Sequence, residues 1–243
     1  MNPLSRLAIV LGFMCCVPLV YSQTSFMLVK NNGHYYTDAT INGNANTPIF
    51  VETGFHGMVV SVEWYNRILA SLPLEEIKLQ KEEHLHTDRT TRRIVKLFKG
   101  KVPVGDLTYE GRVFVVDTNE DYVTIPVNLL KNEADSNVCL IRFDFKKNVL
   151  DYVRKDDVNL GKMHHYTLVE NDPMPIFEAT IELSDALGHR LTKFGKFNFD
   201  LGNGSSVFFF RRSMLPALKE NNFKIQTSRD KSGNIIGQGI FAG

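Results

Sequence analysis

The chain has 243 residues, which is enough for one large domain or for two small lobes. Its 28 basic side chains nearly balance its 27 acidic ones, and this argues against nucleic acid as the main partner, because phosphate binding depends on a net basic face. The hydrophobic fraction of 43% and the charged fraction of 23% are ordinary for a globular protein, and 17 Phe favour β structure.

Residues 1–22 have the pattern of an export signal. Arg6 precedes the apolar stretch LAIVLGFMCCVPLV, which is too short for a comfortable transmembrane helix, and the small residues that end at Ser22 resemble a cleavage site. A lipoprotein acylated at Cys15 or Cys16 is the alternative. We expect an exported protein, periplasmic or extracellular, with no transmembrane span in the mature chain.

Short runs of apolar residues between Asn-, Gly- and Asp-rich turns predict a mostly β chain. The predicted strands are SFMLVK (25–30), YYTDATI (35–41), TPIFVE (47–52), GMVVSVEW (57–64), IVKLFKG (94–100), RVFVVD (112–117) and CLIRFDF (139–145). Two helices are predicted, at 62–72 and at 211–222, and Pro216 is expected to limit or kink the second. The charged run at 75–93 predicts a solvated, mobile connection.

An internal repeat is the most informative feature of the sequence. ATI occurs at 39–41 and again at 179–181, and an apolar run that ends in an acid follows each copy, as PIFVETG and then as KFNFDLG. A second apolar run and a helix come next in both copies. We therefore predict two lobes, at 23–155 and 163–243, joined by a polar linker.

The two copies differ in length. Only 43 residues follow Asp200, whereas about a hundred residues separate Glu52 from the end of the first copy. We expect the second lobe to be partial and the chain to be a fragment.

Two lobes packed about a pseudo-twofold axis would bring Glu52 and Asp200 together across a cleft. Like charges at that distance share a proton and titrate as a coupled pair. One carboxyl group can then take a proton from water while the other protonates a peptide carbonyl, which is general acid–base hydrolysis without a metal or cofactor. The Gly that follows each acid, Gly54 and Gly202, suits a tight turn.

The motifs IFVETG and FNFDLG resemble the hydrophobic–hydrophobic–Asp–Thr/Ser–Gly signature of pepsin- and retropepsin-like aspartic proteases. The flanks are similar as well: residues 35–50 resemble the entry to that motif, residues 100–117 resemble the hairpin region that carries the flap, and residues 138–153 resemble lobe endings in secreted bacterial two-lobed relatives. The resemblance implies an acid-protease β-barrel fold, a catalytic pair of Glu52 and Asp200, and a peptide or protein substrate.

Two departures bear on activity. Glu52 stands where the family has Asp, and its extra methylene moves the carboxylate by about 1.5 Å, where a misplacement of roughly 1 Å can cost about a hundredfold in rate. Leu201 occupies the Thr/Ser position, whose hydroxyl joins the two active-site loops in the family, although Thr53 can still supply one hydroxyl.

Other candidate chemistry is weaker. His84, His86 and Asp88 have a spacing that could bind a metal, but no third ligand set accompanies them. His56 could reach the cleft, or it is an exposed turn residue. The adjacent pair His164–His165 cannot share a metal from one strand face, and Cys139 reads as a buried core residue. Residues 203–205 match a glycosylation sequon but no phosphate loop.

Three functions are therefore compatible with the sequence. The first is an exported aspartic-type peptidase in which Thr53, Gly54, Leu201 and Gly202 shape the loops around the acids. The second is an inactive homologue that binds extended peptides by strand addition. The third is an interaction module without a peptide cleft. The sequence leaves the oligomeric state, including a homodimer, undetermined.

Overall fold

The computed structural model describes residues 24–44, 48–86, 91–121, 123–159, 174–185, 187–202, 207–209, 212–229 and 232–241. We refer to the described residues up to 159 as the first lobe and to those from 174 onwards as the second lobe. The predicted signal segment, Asp88, the pair His164–His165 and the sequon at 203–205 lie outside these ranges.

Strands dominate the described chain. Those of the first lobe are β1 (Thr24–Met27), β2 (Val29–Asn31), β3 (His34–Thr37), β4 (Ile49–Glu52), β5 (Gly57–Ser61), β6 (Glu75–Glu76), β7 (Glu83–His86), β8 (Thr91–Val104), β9 (Leu107–Val116), β10 (Val123–Pro126), β11 (Leu130–Lys131), β12 (Val138–Asp144) and β13 (Val149–Arg154). Those of the second lobe are β14 (Ile176–Ser184), β15 (Arg190–Asn198), β16 (Val207–Phe209), β17 (Ile225–Arg229) and β18 (Ile235–Phe241). The prediction of a mostly β chain is confirmed.

The order of strands around β10 shapes the first lobe. Most first-lobe strands form one sheet, in which β10 lies between β4 and β5, parallel to β4 and antiparallel to β5. The strands on either side of the first acid motif are therefore not neighbours, and the loop at 53–56 must cross the end of β10, where Pro126 is the register partner of Glu52. This crossing places the first acid at the margin of the sheet.

The core of the first lobe holds these strands in place. Val51, Met58 and Val60 from the two strands beside the acid motif are fully buried, and each buried side chain of this size contributes about 1.5–3 kcal/mol. A short helix α1 (Val62–Trp64) follows β5, where the Ser61 hydroxyl accepts a hydrogen bond from the Trp64 N–H and caps it. One turn of π-helix (Tyr65–Leu69) continues it, so the predicted first helix is present in an irregular form.

The prediction of a solvated, mobile connection at 75–93 is wrong in one respect: residues 75–85 and 91–93 are exposed or half-buried as expected, but the segment includes paired strands. This segment contains β6 and β7 and the beginning of β8, and both short strands pair with β8. The physical reason is that its charged residues are interspersed with apolar ones: Ile77, Leu79 and Leu85 pack against a buried cluster that includes Phe114. Burial of these side chains outweighs the solvation of the charged residues between them.

The hairpin predicted at 100–117 is present as β8 and β9, but its turn is anchored. The Gly105 N–H donates to the Thr40 carbonyl over 2.7 Å, and the flanking Val104 and Leu107 are buried. Gly105 has a φ of 56°, which suits glycine at this tight turn. The turn is thus anchored on the first lobe by its buried flanking residues, although Gly105 and Asp106 are themselves exposed.

The second lobe repeats the order of elements in the first. An antiparallel hairpin of β14 and β15 leads to Asp200, and then β16, a turn of 3₁₀-helix (Arg212–Met214) and helix α2 (Leu215–Glu220) follow. Among the described strands, each sheet draws on one lobe only. The predicted lobe boundaries stay predictions, because the linker around 160–173 lies outside the described residues.

Two details of the repeat bear on the predictions. Pro216 lies in the first turn of α2, where a missing N–H costs nothing, so of the two expected effects it limits the α-helix to Leu215–Glu220 and does not kink it. The second ATI lies within β14, whereas the first follows β3 and enters the sheet only through isolated bridges of Ile41.

Candidate active site

The first acid is held by its own loop. Glu52 is the last residue of β4, and its Oε1 accepts hydrogen bonds from the backbone N–H groups of Thr53, over 2.8 Å, and Gly54, over 2.5 Å. Two donors on one carboxylate oxygen restrict the rotation of the side chain. The longer side chain of Glu, compared with Asp, is thereby folded back onto the turn.

The second acid lies on a similar loop. Asp200 follows β15, and its Oδ1 accepts the Gly202 N–H over 2.8 Å. The loop is attached to its own lobe by the Phe199 N–H, which donates to the Pro175 carbonyl over 3.1 Å. Asp200 is exposed, whereas Glu52 is only partly exposed.

The structure brings the two acids together. A Cβ placed on Gly54 would lie 2.6 Å from Oδ1 of Asp200, and a Cβ placed on Gly202 would overlap the Glu52 carboxylate. Each carboxylate therefore lies against the glycine of the opposite loop, and the two side chains come within hydrogen-bond reach of each other. Both predicted glycines are needed because any larger residue would fill the space that the opposing acid occupies.

A single hydroxyl joins the two loops. Thr53 Oγ1 donates to the Phe199 carbonyl over 2.7 Å and accepts the Leu201 N–H over 2.9 Å, so it contacts the backbone on both sides of Asp200. Leu201 has no hydroxyl with which to return this contact. Its side chain is instead buried, with 8% exposed, among the core residues of the first lobe.

Burial and charge both change the acidity of Glu52. Removal from water, and then the negative charge of Asp200 and the hydrogen bond to it, raise the pKa of Glu52 from 4.5 to about 7, although the N–H groups of Gly54 and Thr53 oppose the shift. At pH values below 7 the pair consequently holds a proton between its carboxyl groups. That is the protonation state required of a pair that acts as both acid and base.

Aromatic side chains border the first acid loop. The ring of Phe55 lies 5.4 Å from that of Phe114, and the exposed His56 packs its ring 4.4 Å from Phe55. A Cβ on Gly57 would overlap Phe114, so Gly57 permits this packing. Sequence analysis missed Phe114, since it lies 60 residues beyond the motif and only the parallel pairing of β5 with β9 brings it here.

The structure supports few other chemistries in the part of the chain that it describes. Within these residues no group of three His, Cys, Asp or Glu side chains could hold a metal ion, and His84 lies 3.4 Å from the Glu82 carboxylate. The side chains of His86 and Cys139 lie outside what the structure describes. No helix of the described chain has the length and apolar character to cross a membrane.

Comparisons with known proteins give little beyond the fold. No family model matches the chain, and no curated protein matches it. Among solved structures, a retropepsin-like aspartic protease from Rickettsia conorii matches 55% of this chain and 97% of its own, with 15% identity and a TM-score of 0.31. A likeness of this size says nothing about substrate or activity.

The fold class predicted from the sequence, mostly β and aspartic-protease-like, agrees with the curled sheet of the first lobe and the two meeting acid loops. The predicted residues Glu52, Thr53, Gly54, Asp200, Leu201 and Gly202 all lie at this one junction. Their catalytic roles are proposals.

Proposed function

We propose that the chain is an exported aspartic-type peptidase of the secreted, two-lobed kind, in which Glu52 and Asp200 hydrolyse peptide bonds with an activated water. One observation carries the proposal: each carboxylate lies against the glycine of the opposite loop, within hydrogen-bond reach of the other acid. A purely structural strand-end acid would be expected to pair with a cation or with water rather than with a second acid.

The raised pKa of Glu52 indicates which carboxyl group acts as the general acid and which as the general base. Protonated Glu52 is the general acid, and the carboxylate of Asp200 is the general base. Asp200 takes a proton from the attacking water while the proton of Glu52 passes to the carbonyl oxygen, which produces a tetrahedral diol. Asp200 then gives its proton to the departing nitrogen while Glu52 takes one from a hydroxyl of the diol, so that the C–N bond breaks, the acid and amine products form, and the pair regains its starting state without a covalent intermediate.

The substrate class follows from the neighbourhood of the pair. Phe55, which is half-buried on the first acid loop and packs on the buried Phe114, favours an apolar side chain next to the scissile bond. An extended segment suits the site because a folded chain would keep its peptide bonds away from the acids. Export through residues 1–22 is part of this proposal and would place the substrate outside the cytoplasm.

Asp200→Asn tests the proposal. The substitution keeps the shape of the side chain but removes the base, so hydrolysis of an unstructured peptide library by the full-length protein should fall by about 10³-fold or more. Asp144→Asn is the matched control, since Asp144 caps a turn at the end of β12 and should have no effect. Unchanged hydrolysis in Asp200→Asn would show that this mechanism is wrong.

The alternative is an inactive homologue that binds extended peptides. The Glu52 carboxylate lies against Gly202 and occupies space between the loops. This position of the longer acid favours the inactive homologue, because small displacements of a catalytic group lower the rate strongly. This alternative predicts binding of peptides without turnover. Calorimetric titration followed by mass spectrometry of the bound peptide separates the two, since a peptidase returns fragments and a binder returns the intact peptide.

A further inference from the structure

The backbone around Asp200 is attached to the first lobe by side chains as well as by Thr53. Leu201 is a member of the buried core cluster whose other members all come from residues 26–152. Phe199, two residues before it, places its ring 6.1 Å from that of Phe143 on β12. The residues immediately before and after the second acid therefore both contact the opposite lobe.

We propose that Phe199 and Leu201 form an apolar clasp that positions Asp200 against Glu52 and replaces the second loop-to-loop hydroxyl. This inference rests on the proposed function, since it concerns the same acid pair, and it assigns positioning roles rather than catalytic ones. The clasp is the counterpart of Thr53: the first loop supplies the hydroxyl, and the second supplies the buried side chain.

Burial explains why Leu at position 201 can hold the second acid loop in place and a residue with a hydroxyl cannot. Only 8% of Leu201 is exposed, so its side chain fills core space that Thr would leave partly empty and would line with an oxygen that needs a partner. The backbone N–H of Leu201 already uses the Thr53 hydroxyl. A second hydroxyl at 201 is therefore not needed to hold the loop, whereas the apolar side chain is.

Phe143 extends the clasp into the first-lobe sheet. Its ring stacks on Phe145 at 5.9 Å, and Phe145 in turn lies 5.5 Å from Tyr35. A row of rings therefore runs from β3 to the second acid loop. This row restrains Phe199 even though 42% of its surface is exposed.

The test compares four substitutions. Leu201→Ala should lower kcat by about tenfold or more with a smaller change in KM, because it displaces the acid rather than the substrate site. Leu201→Met should keep most of the rate. Leu201→Thr, which restores the residue type of the family motif, should behave like Leu201→Ala. Leu183→Ala is the matched control, since Leu183 is equally buried but belongs to the second-lobe core.

Two readouts do not depend on hydrolysis. Amide hydrogen exchange at residues 199–202 should become faster in Leu201→Ala and Leu201→Thr but not in Leu183→Ala. The titration of Glu52, followed by NMR of ¹³C-labelled Glu, should move towards its ordinary range in the same two variants. Slow exchange and an unmoved titration in Leu201→Thr would overturn the clasp. If the two variants show these effects but the wild type cleaves no peptide, the proposed function is contradicted and the clasp stays supported.

Discussion

At the scale of single residues, the site depends on the fit between each acid and the glycine opposite it. The Glu52 carboxylate occupies the position where a Cβ of residue 202 would be, and Asp200 occupies the corresponding position at Gly54. The longer side chain of Glu is therefore accommodated by the absence of a side chain at 202. This explains how Glu can replace Asp in the first motif while its carboxylate still lies beside that of Asp200.

Gly202→Ala tests this fit. The added methyl group overlaps the Glu52 carboxylate, so we expect a loss of stability of about 1–3 kcal/mol in urea unfolding and a large loss of any hydrolysis. Glu52→Asp retracts the carboxylate by about 1.5 Å and should offset part of this loss in the double variant. Additive effects in the double-mutant cycle would show that the two residues do not touch.

Thr53→Val removes one hydroxyl at constant shape. Two hydrogen bonds between the loops are lost and the Leu201 N–H is left without its acceptor, so the free energy of unfolding should fall by about 1–3 kcal/mol. Thr53→Ser keeps the hydroxyl and serves as the control. Thermal unfolding of both variants decides the matter: equal melting temperatures would mean that the hydroxyl does not join the loops.

At the scale of the elements, the position of the first acid loop depends on how β5 is held beside β9. The buried hydroxyl of Tyr109 donates to the Arg112 carbonyl over 2.5 Å and accepts the Met58 N–H over 3.1 Å. Gly111 leaves room for this hydroxyl, because a Cβ there would lie 2.5 Å from it. Burial raises the pKa of Tyr109 to about 12, so the hydroxyl keeps its proton at every pH of interest.

Tyr109→Phe should destabilise the first lobe. The Met58 N–H loses its partner inside the core, at a cost of about 1–3 kcal/mol in the free energy of unfolding. Hydrogen exchange should accelerate at the beginning of β5 more than in β14. Tyr36→Phe, on a partly exposed residue of β3, is the control, and an equal loss of stability in both variants would contradict the role given to Tyr109.

The sequence predicted the strands, the repeat and the acid motifs, because these depend on local patterns of apolar residues and turns. It did not predict β6 and β7, since charged residues outnumber the apolar Ile77, Leu79 and Leu85 in this segment, and the partial burial of these three depends on packing against distant residues such as Phe114. The roles of Tyr109 and Phe114 were missed for the same reason. Each acts through strand pairing between residues far apart in the chain.

The role of Leu201 also could not be predicted from the sequence. The motif alone shows a missing hydroxyl, and only the packing of one lobe against the other shows that the apolar side chain enters the first-lobe core. Contacts between lobes leave no periodic signal in a sequence, because they join single residues on loops.

At the scale of the whole molecule, the shared proton links stability to pH. The folded state holds the Glu52 proton up to about pH 7, whereas the unfolded state releases it near 4.5. Between these values the folded state binds more protons, so the free energy of unfolding is largest below about pH 4.5 as far as this group is concerned and falls as the pH rises through 7. The expected fall is on the order of 1–3 kcal/mol.

Urea unfolding at several pH values between 4.5 and 8 measures this link. Glu52→Gln is the control, because its side chain does not titrate and the fall should be absent from it. Other carboxyl groups, such as Asp144 and Asp185, have lowered pKa values and change stability only at more acidic pH. Parallel curves for the wild type and Glu52→Gln would refute a raised pKa at position 52.

The central claim is that Glu52 and Asp200 behave as one proton-sharing unit at the junction of the two lobes. NMR titration of ¹³C-labelled Glu in the wild type and in Asp200→Asn measures this most directly. We predict a Glu52 pKa of about 7 in the wild type and a clearly lower one in Asp200→Asn, because the second negative charge is gone. A Glu52 resonance that titrates near 4.5 in both proteins would contradict the account.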